Sequence, residues 1–377
     1  MAKYKLWVVA AATVLLLAGC TSTQSSSSSS TSSGQSTKKL QTTGKVTDSM
    51  YEGVIDNGQY KTSQTRGLTT DQSNTSFDVK SLESGLLTLS KQQFPTSKYI
   101  FQEGQSLKTA EAQKWLARKS KTNSLGLNPE DNGQKDPDKR NPLYLQQILE
   151  QDYLSQDGTL AGMSIGLGMN QVDYYTKEQY GATYQTKISK AMMEQQGKQI
   201  ANKVLARMRQ KKGMSKAPIV IGLYKQATKD SLVGGTFFAY GVSKSGSTTI
   251  DSWHEMNQEN QVFPITGTEK AINKSDSDTF NSFKEQVQTF FPNLSGVTAQ
   301  AHYEDGVLAG LNITVNTQFY SETEIMSFTQ YIANAADKYL PRNIPLDISI
   351  QSVEGIQAYV GRASGSNSFT THVFGSY

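Results

Sequence analysis

Apolar and polar positions alternate along the chain in two pairs of short runs, each pair joined by Asp-Gly. Tyr144 to Tyr153 and Leu160 to Met169 flank Asp157-Gly158, and Val297 to Tyr303 and Val307 to Val315 flank Asp305-Gly306. Alternating runs joined by this dipeptide predict hairpins, because Asp and Gly accept the positive φ angles of a tight turn. After each pair the period changes to that of a helix. Ile188, Met192, Ile200, Val204 and Met208 fall at multiples of four and predict an amphipathic helix with a basic end at Arg207, Arg209, Lys211 and Lys212. A second helix is predicted from Ser321, with Glu324 completing a capping box and Tyr320 placed to staple against Ile325. Its apolar stripe is Ile325, Phe328, Ile332, Ala336 and Tyr339, and Pro341 ends it. Leu346, Ile348 and Ile350 then alternate with Asp347, Ser349 and Gln351, a strand with one wet face. Pro218 and Ile219 to Tyr224 hold the same place after the first helix.

This order of patterns is a duplication. Asp157-Gly158-Thr159-Leu160-Ala161-Gly162-Met163-Ser164-Ile165 and Asp305-Gly306-Val307-Leu308-Ala309-Gly310-Leu311-Asn312-Ile313 agree at six of nine positions. A helical stretch ending in Phe94-Pro95 has an apparent counterpart ending in Phe291-Pro292, and Ala239-Tyr240 with Ser245-Gly246-Ser247 matches Ala358-Tyr359 with Ser364-Gly365-Ser366. The expected fold class is α+β: two related repeats, each a mostly antiparallel sheet with helices packed on one face. The expected segments are a leader at 1–19, a tether at 20–48, a first repeat at 49–262 with an insertion near 101–140, and a second repeat at 263–377. Within the insertion Trp115 lies on a short helix, and Asn128 to Asn141 reads as a loop.

The N-terminus changes the picture from a plain globular protein. Lys3 and Lys5 precede an apolar core from Leu6 to Leu17, and Leu17-Ala18-Gly19-Cys20 resembles a bacterial lipobox. The core is too short to span ~30 Å of hydrocarbon as a helix. Cleavage between Gly19 and Cys20 would expose Cys20 as a lipidated chain start, and two acyl chains make a stable anchor. The implied partners are a lipid transferase, a signal peptidase and the membrane itself, with the folded part on the outer face of the cytoplasmic membrane. Thr21 to about Thr47 is a Ser/Thr/Gln/Gly/Lys tract that cannot bury enough apolar surface to order itself, and it reads as a flexible tether with a reach of ~30 Å.

Composition narrows the function. The formal charge of +4 over 377 residues falls to about +2 once Lys3 and Lys5 leave, which argues against a nucleic-acid partner. The 14 Phe and 18 Tyr are ample for a globular core, and the single cysteine excludes disulfides and Cys-ligated metals once it is acylated. The chemical motifs are weak. His254, His302 and His372 lack metal-ligand spacing. Asp131-Asn132-Gly133 with Asp136 and Asp138 lacks the acid order of a calcium loop and reads as a solvated loop. There is no Gly-x-Ser-x-Gly elbow, and Lys244-Ser245-Gly246 has only Ser36 to Lys39, in the tether, as a Ser-x-x-Lys companion. Gly166-Leu167-Gly168 is not followed by a helix start and makes no phosphate loop. No cofactor or metal is expected.

Together these features resemble the CamS family, the sex-pheromone-precursor lipoproteins of Gram-positive bacteria. The resemblance is carried by the leader, by Asp56-Asn57-Gly58-Gln59-Tyr60, Arg66-Gly67-Leu68-Thr69, Phe101-Gln102-Glu103-Gly104-Gln105 and Gly126-Leu127-Asn128-Pro129, and by the two Asp-Gly repeats. It implies that the released leader is trimmed to a short apolar signal, here about Thr13-Val14-Leu15-Leu16-Leu17-Ala18-Gly19. It supplies no catalytic residues. The expectation is therefore a lipid-anchored surface protein whose folded part is a non-enzymatic binding or structural module for an envelope ligand. A cleft between the repeats is the expected site, with Arg66, Glu103, Asp157 and Asp305 as candidate lining residues. The alternative is an envelope hydrolase acting on peptidoglycan or peptides, for which Glu103, Asp157, His302 and Asp305 are the candidates. A solute-binding lipoprotein for uptake is less well matched, because the repeats lack βαβ alternation.

Overall fold

The computed structural model describes residues 40–70, 76–290 and 296–375. The leader, Cys20, the tether up to residue 39 and the Phe291-Pro292 pair lie outside the described residues.

In the first repeat the elements are β1 (Gln41–Thr42), β2 (Val54–Asp56), β3 (Gln59–Tyr60), α1 (Ser76–Ser90), β4 (Ile100–Glu103), α2 (Thr109–Leu116), β5 (Leu145–Leu154), β6 (Leu160–Met169), β7 (Val172–Thr176), β8 (Thr183–Lys187), α3 (Lys190–Met208), β9 (Ile219–Lys225), β10 (Thr236–Ser243) and β11 (Trp253–Glu255). The second repeat runs β12 (Gln258–Phe263), α4 (Lys274–Gln288), β13 (Gly296–Glu304), β14 (Val307–Asn316), α5 (Glu322–Tyr339), β15 (Leu346–Ser352), β16 (Gly355–Arg362) and β17 (Thr370–Val373). Each repeat builds a six-stranded sheet, in spatial order β4-β5-β6-β9-β10-β11 and β12-β13-β14-β15-β16-β17. Every pairing is antiparallel except β6 with β9 and β14 with β15, the two pairs joined through α3 and α5. The fold is α+β with two related sheets, as the sequence pattern implies.

The Asp-Gly turns form as expected. Asp305 and Gly306 both take positive φ, 51° and 76°, and Gly158 takes 84°. Two details of the helices differ. In α3 the buried stripe is Met193, Gly197, Ile200, Ala201, Val204, Leu205 and Met208, while Met192 is 39% exposed. Strict four-residue spacing rotates ~40° per step around a 3.6-residue helix, so it cannot stay on one face. In α5 Ser321 is the N-cap residue, yet its hydroxyl lies against Thr323 Oγ1 at 3.2 Å and caps no backbone N–H. Tyr320 is exposed, so the expected staple to buried Ile325 is not made.

The repeat correspondence also shifts. Helix α4 lies between an edge strand and a hairpin, as α2 does, and each packs beside the crossover helix of its repeat: Phe280, Phe283 and Val287 with α5, Trp115 and Leu116 with α3. The partner of α4 is therefore α2, inside the segment read as an insertion, and not α1. The additions to the first repeat are the small β1–β3 sheet, α1, the β7–β8 hairpin and the loop after α2. Residues 40–48, read as the end of the tether, are instead tied to the fold: Gln41 and Thr42 pair with Ile55 and Val54. The second sheet begins at Gln258, a few residues before the expected boundary.

Helix α1 occupies the face of the first sheet opposite α2 and α3. Along β6, Met163, Ile165, Leu167 and Met169 enter the core with α2 and α3, while the intervening positions are Gly162, Ser164, Gly166 and Gly168. A Cβ on Gly166 would stand 2.9 Å from Leu82 Cδ1, and one on Gly222 of β9 would stand 2.6 Å from the Phe237 ring. Missing side chains thus let Leu82, Leu86 and Leu89 settle close to the sheet, against Leu149, Tyr224 and Phe237. The second sheet buries one face under α4 and α5, with Ala299, Ala301, Ile313, Val315, Ile348 and Ile350 inward. Its other face carries Thr298, Gln300, His302, Asn312, Thr314, Asp347, Ser349 and Tyr359, and no helix of the second repeat covers it.

Candidate functional site

Two of the four candidate lining residues come together. Arg66 Nη2 lies 2.7 Å from Glu103 Oε1 and 3.1 Å from Glu83 Oε1, and Glu103 Oε2 accepts the Ser63 N–H at 2.7 Å. Burial first, then the Glu103 charge, push the Tyr60 phenol up to about 12. Next to Glu103 the chain turns back over β5. The buried Glu150 carboxylate accepts the N–H groups of Ser106 (3.0 Å) and Leu107 (2.7 Å), and Asp152 accepts that of Gln105 (3.0 Å). A Cβ on Gly104 would lie 2.4 Å from Glu150 Cβ, which accounts for glycine after Glu103. Burial, reinforced by the Glu150 charge, pushes the Asp152 carboxyl up to about 9. These acids are filled with backbone donors and one arginine. They lock the segment after β4 onto the sheet, and Glu103 lines none of the described cavities.

Asp157 and Asp305 are far from this cluster in role. Asp157 Oδ1 accepts the Thr159 N–H at 2.9 Å, a contact that holds its carboxyl below the usual range. Both aspartates fix exposed hairpin turns and neither lines a cavity among those described. The Asp131 and Asp136 carboxylates cap their own loop, accepting N–H from Gly133 and Asp138 at 2.9 Å each. Among the described residues no group of three His, Cys, Asp or Glu is placed to hold a metal ion.

The cleft lies between the repeats. One wall is α1, with Ser81, Ser84 and Thr88, together with the β9–β10 loop at Val233–Gly235. The floor is the uncovered face of the second sheet. A cavity of about 380 Å³ reaches Asn260, Gln300, His302, Glu304 and Asn312. A second of about 590 Å³ shares Gln300 and Asn312 with it and extends over Thr298, Thr314, Asp347, Ser349 and Tyr359 to Phe77, Lys80 and Leu232. Of the residues named in the sequence reading for catalysis only His302 is here. Its Nδ1 is 2.7 Å from Asn260 Oδ1 and its Nε2 3.5 Å from Glu304.

The seam that frames the cleft is made of hydrogen bonds. Asn260 Nδ2 donates to the Gly234 and Gly235 carbonyls (2.8 and 3.2 Å), Gln300 Nε2 to Leu232 O (3.0 Å) and Thr236 Oγ1 to Gln258 O (2.9 Å). Buried Asp78 on α1 holds the same loop from the other side, its Oδ1 accepting from Tyr224 Oη (2.9 Å), Gly235 N (2.8 Å) and Ala227 N (3.1 Å). Asp78, Asn260 and Gln300 belong to no motif in the sequence, and Asn312 figures there only as a repeat position. The available signal was the change from glycine and serine on β6 to asparagine and threonine at the matching positions of β14.

These features define a duplicated α+β protein with a polar cleft along the seam between its repeats. The chain belongs to the CamS sex pheromone cAM373 precursor family, whose profile matches residues 60–368. It is similar to a sex pheromone precursor from Lactobacillus salivarius subsp. salivarius of known crystal structure, at 54% identity and a TM-score of 0.85 over 90% of this chain and 100% of that one. It is also similar to the C-terminal domain of the sex pheromone staph-cAM373 precursor from Staphylococcus aureus, at 28% identity and a TM-score of 0.71 over 80% of this chain and 98% of that one. No curated protein matches. The family is one of sex pheromone precursors. Among the described residues no helix is long and apolar enough to cross a membrane.

Proposed function

We propose that the chain is made as a lipoprotein precursor with two products. Cleavage before Cys20 frees a leader whose end, Thr13 to Gly19, is the signalling peptide. Lipidated Cys20 keeps the folded part on the outer face of the cytoplasmic membrane, where it acts as a non-enzymatic binding module for an envelope ligand. An uncharged apolar heptapeptide can leave a membrane and still offer side chains to a receptor groove. The observation that carries the reading of the folded part is the seam cleft, whose floor is a sheet face free of a covering helix. Its volume falls in the range of small-ligand sites, about 300–1,000 Å³.

Of the hydrolase candidates Glu103, Asp157, His302 and Asp305 only His302 lines the described cleft, and the carboxyl that is strongly raised is instead that of Asp152. That group is buried at 2% exposure, hydrogen-bonded to the segment after β4, and lines none of the described cavities. The binding reading is preferred on that ground.

Exchange of Cys20 for alanine tests the precursor reading. Cells fed labelled palmitate are expected to lose all label from the protein, and mass spectrometry of the medium is expected to lose the Thr13–Gly19 peptide. Unchanged release of that peptide, or label retained elsewhere on the chain, would overturn it.

A further inference from the structure

The two sheets present the same face to very different neighbours. Counted from the aligned Asp-Gly turns, Gly162, Ser164 and Gly166 of β6 correspond to Gly310, Asn312 and Thr314 of β14. The strand registers put Gly222 of β9 opposite Gly166 and Ser349 of β15 opposite Thr314, so these also correspond. In the first repeat they are small and covered: Leu82 and Leu86 of α1 pack over Gly166, Leu86 reaches Gly222, Ser90 of α1 bonds Ser164, and the Phe94 ring lies over Gly162. In the second, Asn312, Thr314 and Ser349 carry an amide and two hydroxyls under an open groove. The side chains of Thr298, Asn312 and Thr314 make no hydrogen bond among the described residues. Gln300, which lines both cavities, donates Nε2–H to Leu232 O, and its Oε1 accepts no hydrogen bond among the described residues.

Charge narrows the occupant. The central floor holds one carboxylate, Asp347, and the Tyr359 hydroxyl donates to it. Lys80 stands at one rim on α1, and His302 with Glu304 at the other end. The larger cavity is lined by one cation, Lys80, and one carboxylate, Asp347, which offset each other in formal charge, so it favours neither an anion nor a cation strongly. Amides and hydroxyls at sheet spacing, each able to donate and accept, match a ligand of closely spaced hydroxyl and amide groups. Phe77 and Leu232 add exposed apolar patches at the rim, suited to a methyl group or the flat face of a ring.

We propose that this groove binds an uncharged glycan bearing N-acetyl groups, the chemistry of an N-acetylhexosamine chain in a cell wall. Asn312, Gln300 and Thr314 bond its hydroxyl and acetamido groups, and Phe77 and Leu232 receive the acetyl methyl. This rests on the cleft being the binding site.

The test is calorimetric titration of the full chain in detergent micelles with the N-acetylglucosamine tetramer, a glucose tetramer and an uncharged tetrapeptide. Binding of the N-acetylated tetramer in preference to the other two is expected, weakened roughly ten-fold in Asn312→Ala, the loss of about one ligand hydrogen bond. Asn312→Trp, which fills the groove from an exposed position, is expected to abolish it with an unchanged melting temperature. Binding that ignores both substitutions overturns the assignment, because the sugar then sits elsewhere. Binding of the peptide alone, abolished by Asn312→Trp, overturns the glycan while the cleft remains a binding site. If no probe binds and Asn312→Trp is retained on isolated cell walls as well as the unsubstituted chain, both readings fail.

Discussion

Asp152 sits on β5 among buried neighbours, and burial with the charge of Glu150 keeps its carboxyl protonated near neutrality. In the unfolded chain the same group ionises near its ordinary value of about 4. Between there and about 9 the folded protein therefore binds the extra proton, and stability falls as pH rises. Asparagine at 152 can donate to Glu150 as the protonated acid does, and its carbonyl can still accept the Gln105 N–H. Urea unfolding at pH 5, 7 and 9 is expected to show a declining midpoint for the natural chain and a flatter one for Asp152→Asn. Parallel curves would count against a buried proton at this site. The residue was invisible in the sequence because a strand with alternating acids reads as wet on one face. Glu103 stands out in its motif, but its partners Ser63 and Arg66 are about 40 residues away, and no local pattern places them.

At the scale of elements, hairpin turns and strand alternation are legible locally, whereas helix caps and packing partners are not. Hairpins are encoded within a few residues of Asp157 and Asp305, and the strand after Pro341 declares its wet face by alternation. The site of α1 is encoded instead by absences. Gly166 and Gly222 lie on two strands, and only the parallel pairing of β6 with β9 brings them under one helix. The same distribution explains why α1 was matched to α4: both are helices ahead of a hairpin, and only the third dimension shows which face each covers. Gly222→Val probes this directly. The new side chain would meet the Phe237 ring and Leu86, within 2.6 and 3.4 Å of its Cβ. A loss of about 1–3 kcal/mol in unfolding free energy is expected, the usual range for overpacking a filled core. Faster amide exchange confined to α1, β9 and β10, with β13 to β16 unchanged, would fit a local shift of α1, whereas a neutral substitution would mean that the helix does not rest on the sheet as described.

For the whole molecule, the duplication was legible because its matches recur in one order, and a cleft between the repeats was anticipated. Its residues were not, since the seam is made by side chains that look like ordinary strand polar positions. Each repeat has its own apolar core, and the contacts across the seam are mainly hydrogen bonds to the β9–β10 loop. Polar interfaces of this kind permit relative motion. Asn260 is the main tie, because one side chain bonds two loop carbonyls and the His302 ring. Asn260→Ala removes those bonds and touches neither core. The expected cost is about 1–3 kcal/mol for two or three net hydrogen bonds. It should be confined to the seam, with faster amide exchange over residues 227–235 and unchanged protection in β13 to β16. A loss of protection spreading through β13 to β16 would show that the seam holds the second repeat together, and the description of two self-sufficient cores joined along a polar groove would have to be abandoned.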